Sequence, residues 1–149
     1  MRRLAWLLAL LLLPAAQAQE PDDILGIWAT ERAEAHVEIF KRDDRYHGRI
    51  TWLKEPFYPE GDAEAGQPRR DRENEDPELR EREIIGLEIV NGFRYVGKGR
   101  WTDGTIYDPE NGKTYNCKMW LTRDGRLRLR GYVGVSLFGR TTEWIRVLR

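Results

Sequence analysis

Beyond residue 18 the chain repeats a single pattern, in which runs of alternating apolar and polar residues are separated by clusters of Gly, Asp, Asn and Pro. A period of two puts every second side chain on the same face of a strand, and short turns join neighbouring strands antiparallel. Ala35, Val37 and Ile39 alternate with His36, Glu38 and Phe40, and Lys41 to Asp44 supply a polar turn. The next run places Tyr46, Gly48, Ile50 and Trp52 on one face, with His47, Arg49 and Thr51 on the other. Further strands are expected over residues 24–30, 84–90, 93–101, 105–108, 113–122 and 140–148. Asn91 and Gly92 tolerate positive φ and suit a tight hairpin; Thr102, Asp103 and Gly104 predict a second turn. Pro109 to Gly112 and Arg123 to Gly125 predict two more. Leu127, Leu129 and Gly131 alternate with Arg126, Arg128 and Arg130, which read as a solvated outer face. About eight strands with no helix to cover an open sheet are best reconciled by closure, giving an all-β antiparallel up-and-down barrel.

Residues 54–83 break the pattern, with 11 acidic and 6 basic residues and little apolar content. Here Asp76 reads as an N-cap and Pro77 as a first helical position, which predicts a short helical turn on a long charged loop. Loops of this length serve as lids, binding loops or disordered segments.

Residues 1–18 join Arg2 and Arg3 to an apolar run, Pro14 and the small residues Ala16 and Ala18, the pattern of a secretory signal cut after Ala18. The run falls short of the roughly 20 apolar residues a spanning helix needs, so no transmembrane anchor is expected. The remaining chain, residues 19–149, is read as one domain of a periplasmic or fully secreted protein. It carries 23 basic against 25 acidic residues, a balance that disfavours nucleic-acid binding. Cys117 is the only cysteine, so no intrachain disulfide forms; it reads as a buried small hydrophobe in a monomer held by packing.

Gly26 and Trp28 near the start and Arg146 near the end resemble the lipocalin pattern. In that superfamily the tryptophan closes one end of the barrel and the arginine packs across it, which implies a barrel-closing role for these three. A broader set includes Asp71, Asn74, Asp76, Pro77, Leu79, Arg80, Gly86, Leu87 and Trp101, then Ile106 to Pro109, Gly112, Lys113, Tyr115, Arg130 to Tyr132, Gly139, Arg140 and Trp144. Together they resemble the bacterial domain of unknown function 2147, which implies a small exported bacterial protein with a lipocalin-like barrel and carries no assigned activity.

Tyr46, Trp52, Phe93, Tyr95, Trp101 and Met119 fall on one face of their strands and are the candidate ligand-binding residues. In a hollow barrel they line a cavity, and in a filled one they are core. The superfamily resemblance tilts the expectation toward a cavity. His36 and His47 are too few for a metal site, and no metal or other cofactor is expected. Asp71, Glu73, Glu75 and Asp76 have spacing like a calcium loop without its glycine; solvated charge, or loop pinning by Asp71, Asn74, Asp76 and Arg80, accounts for the same residues. Ser136, the only serine, sits in no nucleophile elbow. An acid–base enzyme would need buried carboxylates with raised pKa, and no pair is placed that way. These observations favour a non-enzymatic module of the cell envelope that binds a small hydrophobic or amphipathic ligand. The alternative is a filled barrel that contacts an envelope protein through its charged loop or outer face.

Overall fold

Asp43 and Asp44 both take positive φ (51° and 58°), and the register closes Arg42 on Arg45. This two-residue turn matches the right-handed twist of the flanking strands, so the charged cluster read as a turn is a tight hairpin. In a computed structural model that describes residues 19–148, the strands are β1 (Gly26–Ala29), β2 (Ala35–Arg42), β3 (Arg45–Leu53), β4 (Glu88–Gly97), β5 (Arg100–Asp108), β6 (Lys113–Leu121), β7 (Leu127–Tyr132) and β8 (Arg140–Leu148). Each pairs antiparallel with the next, and β8 returns to β1, so these eight strands form a closed up-and-down barrel. The signal reading of residues 1–18 lies outside the described residues. Among those described, no helix is long and apolar enough to cross a membrane.

Two expected turns are instead bulges within strands. Asn91 and Gly92 lie inside β4, where Gly92 takes φ 73° while the strand continues; the hairpin forms at Lys98 and Gly99. Asp103 (φ 63°) and Gly104 lie inside β5, with a register shift between Trp101 and Gly104. A Cβ at Gly104 would fall 2.2 Å from Cδ2 of Phe93, so the missing side chain makes room for that ring. Turns and bulges both need residues that tolerate positive φ. Here they bend long strands into a barrel.

The hairpins at 43–44, 98–99 and 122–126 share one end of the barrel with the 3-10 turn Pro21–Ile24. That turn plugs the end. Ile24 and Trp28 are buried, the Trp28 indole N–H donates to Ile24 O (2.9 Å), and Tyr46 donates to Asp22 (2.6 Å). The Arg146 guanidinium lies 4.2 Å from the centre of the Trp28 ring and donates to the carbonyls of Leu25 and Asp23. Gly26, the start of β1, carries the chain from plug to barrel wall. The opposite end receives the insert between β3 and β4, the turn after Asp108 and the β7–β8 loop.

Candidate functional site

Tyr46, Phe93, Trp101 and Met119 converge in one buried cluster, and Tyr95 packs against it. Trp101 meets Tyr46 edge-on, with centroids 6.2 Å apart, and Tyr95 at 5.2 Å. Trp28, Val37, Val90, Phe93, Trp101 and Leu127 are all 0% exposed, so no water-sized void touches them. The middle of this barrel is filled. The polar ends of its tyrosines hold the plug: Tyr95 donates to Gln19 O (2.5 Å) and accepts from Gly99 N. The Trp101 indole N–H is the one buried side-chain polar atom without a partner among the described residues.

Trp52 stands apart from the set. Its strand alternates only as far as Ile50, because the register shifts opposite His36 and Val37. The bulge turns Trp52 outward, where it is 42% exposed and its ring lies 4.5 Å from that of His36.

The charged insert is built around its own contacts. Tyr58 is buried, and its hydroxyl donates to Arg70 O and accepts from Arg70 N (3.2 and 2.9 Å). Arg72 lies 4.2 Å from the Tyr58 ring centre and forms a two-pronged pair with Asp62, whose carboxyl it pulls down to about 2. At the junction with the barrel, fully buried Asp71 accepts from Tyr107 (2.5 Å), Asn74 (2.8 Å) and Arg82 (2.7 Å). Asn74 also donates to Tyr107 (3.0 Å) and accepts from Asp76 N. Asp76 caps Glu78 N at the head of the 3-10 turn Pro77–Leu79, and Arg80 donates to Asn74 O (2.7 Å). The short helical turn is there, and Asp71, Asn74, Asp76 and Arg80 act together to pin it. No group of three or more potential metal ligands converges among the described residues.

Tyr107 is the partner that sequence reasoning missed. It lay within the family-like stretch 106–109, yet its contact with Asp71 spans 36 positions. Burial, then the bond to Asp71, pushes its phenol up to about 12. Arg130 departs from the solvated face expected of it: half-buried, it donates to Ser136 O (2.6 Å) and Leu137 O (3.0 Å). Arg126 and Arg128 reach Glu143 instead.

Next to this junction an open cleft of about 650 Å³ is lined by Leu79, Arg82, Glu88, Asn91, Tyr107 and Tyr115 among others. It offers a mixture of carbonyl, amide, charged and aromatic groups on a fixed strand floor. Among the carboxylates that clearly shift, Asp22, Asp62, Glu88, Asp124 and Glu143 all move down, held by Tyr46, Arg72, Arg42, Thr122 and Arg126 respectively. A general acid working near neutral pH needs the opposite shift.

The solved structure of protein HP1028 from Helicobacter pylori, described as belonging to the lipocalin family, superposes with a TM-score of 0.70 at 24% identity, covering 83% of this chain and 82% of that one. That likeness is one of fold. No curated protein matches the chain. A family model for uncharacterized proteins conserved in bacteria matches residues 26–146, nearly the whole barrel. The chain therefore belongs to the bacterial family DUF2147, built on a lipocalin-like barrel.

Proposed function

We propose that this protein is an exported, non-enzymatic binding module of the bacterial cell envelope that takes a small amphipathic ligand at the open end of its barrel. The observation that carries this reading is the contrast between a filled interior and the open cleft beside the Asp71 junction. Small-molecule sites occur in the mouths of β-barrels and combine apolar walls with a few fixed polar groups. Leu79, Tyr107 and Tyr115 supply apolar surface, while Arg82, Glu88 and Asn91 supply charge and hydrogen bonds. The aromatic set Tyr46, Phe93, Tyr95, Trp101 and Met119 then serves as the rigid floor beneath the site. Export rests on the pattern of residues 1–18.

Native mass spectrometry of protein taken from its own envelope, with amide-shift mapping of a long-chain fatty acid and a lysophospholipid, tests the site. The expected result is recovery of a small adduct and shifts at Leu79, Arg82, Asn91 and Tyr115. Shifts centred on Phe93 and Met119 would move the site into the barrel, and repeated recovery of empty protein with no shift would end the reading.

A further inference from the structure

The β7–β8 loop, residues 133–139, has the sequence Val-Gly-Val-Ser-Leu-Phe-Gly and carries no charge. Its Val133, Val135, Leu137 and Phe138 are 73, 59, 78 and 82% exposed, and Phe138 and Leu137 are the most exposed of the large apolar residues described. Scattered exposed apolar residues are ordinary, but four on one uncharged tip are not.

The loop is also held in shape. The 3-10 turn Ser136–Phe138 bonds Phe138 N to Val135 O and Gly139 N to Ser136 O. Arg130 reaches up from β7 to donate to Ser136 O, Leu137 O and Thr141 Oγ1, and Lys118 Nζ donates to Ser136 Oγ (2.9 Å). These bonds satisfy the N–H groups of Phe138 and Gly139 and the carbonyls of Val135, Ser136 and Leu137. A segment entering hydrocarbon needs that satisfaction; one resting in water does not.

The geometry points to this loop as a membrane-docking element, in which Val133, Val135, Leu137 and Phe138 enter the acyl boundary of an anionic lipid surface and the cations at the loop base meet its headgroups. Charge complementarity selects that occupant. The base carries Lys118, Arg130 and Arg140, of which, among the described residues, only Arg140 faces an acidic partner, Glu31 at 3.3 Å. Apolar side chains over a basic collar describe an interfacial anchor, which buries its tip about 5–10 Å deep. A four-residue tip is also small against the roughly 800 Å² per partner of a stable protein interface. The inference goes beyond the ligand reading and stands without it.

The test is co-sedimentation of residues 19–149, which hold the plug turn and the eight strands, with vesicles of phosphatidylglycerol and phosphatidylethanolamine and with vesicles of phosphatidylcholine alone. Binding is expected to the anionic vesicles, and Leu137→Asp with Phe138→Asp is expected to weaken it about 100-fold while thermal melting is unchanged. A second variant, Phe138→Cys carrying an environment-sensitive dye, should shift to the blue on those vesicles; buried Cys117 will not take the label. Three outcomes overturn the inference: no binding by the wild-type chain, binding that survives the double substitution, or a self-associating chain that the same substitution makes monomeric.

Discussion

The two ends of this barrel handle their apolar and polar groups in opposite ways. At the plugged end Ile24 and Trp28 are buried, and the exit from the plug is tied down by the Trp28 indole, Tyr46, Tyr95 and Arg146. At the open end a carboxylate, Asp71, is fully buried, while Leu137 and Phe138 stand in solvent. A well-packed end has nothing left to offer a partner; an end with exposed apolar residues on a fixed backbone does. The comparison places stability at the plug and puts the proposed binding at the mouth.

The sharpest way to break that comparison is at Trp28. Trp28→Ala should lower unfolding stability by about 3–5 kcal/mol in urea titrations, since it removes a large buried ring and the indole bond to Ile24 O. Asp71→Ala should cost less, about 1.5–3 kcal/mol for the lost charged hydrogen bonds, and the loss should be local. Hydrogen exchange would then quicken across residues 54–83 while amides of β6 and β7 stay protected; equal loosening of both would show that the insert is part of the barrel's cooperative unit.

Titration separates the ends more gently. Tyr107 binds its proton more tightly when folded, being pushed up to about 12 from an ordinary 10, and Tyr46 moves the same way through burial and its bond to Asp22. Their contributions are whole below about pH 10 and fall away as the pH climbs toward the folded values. Asp22 and Glu88 move down, so theirs are whole above about pH 4 and are lost as acid protonates them. The urea midpoint should thus be flat from neutral pH to about 10, fall beyond it, and fall on the acid side first as His47, whose pKa burial lowers, resists protonation and then as the carboxylates titrate. Phenolate absorbance should show the alkaline limb shrinking in Tyr107→Phe.

The smallest effects are expected from sites that the fold does not use. Leu137→Ala and Phe138→Ala should leave the unfolding free energy in urea titrations within about 0.5 kcal/mol of the parent, as befits exposed side chains. Burial pushes the Cys117 thiol up to about 12, so it should resist alkylating reagents in mildly alkaline buffer and react only after unfolding. Reductant should not change the melting temperature, and a large drop would mean that the barrel is cross-linked between chains.

The sequence and the structure agree where the controlling information is local. Asp43 with Asp44, Pro109 to Gly112 and Arg123 to Gly125 lie where the chain reverses, and Asp76 caps the turn it was expected to cap. They part where one residue type serves two ends. Asn91 and Gly92 carry the signature of a hairpin, but whether a positive φ reverses a strand or merely bends it depends on the neighbours, and here Asn91 stays paired with Thr105 of β5 while the register against β3 shifts between Tyr46 and Gly48. Trp52 follows the alternation in the sequence and leaves it at a bulge in its own strand, where Thr51 is the extra residue between Ile50 and Trp52. In the candidate site, Asp71, Asn74, Asp76 and Arg80 were legible as a group, whereas Tyr107 and Arg82, which complete it, were not.

Alternation, turn chemistry and the lack of a second cysteine were enough to determine a packed, closed antiparallel barrel, because each acts over a few residues through backbone sterics and burial. Whether the barrel is hollow was decided in three dimensions. Side-chain volumes on β3, β4, β5 and β6 fill the interior, where Gly104 admits the Phe93 ring and the plug bonds Tyr46 and Tyr95. No period along the chain records how side chains from opposite walls meet. That sum of volumes, a long-range quantity, moved the candidate site from the middle of the barrel to its mouth.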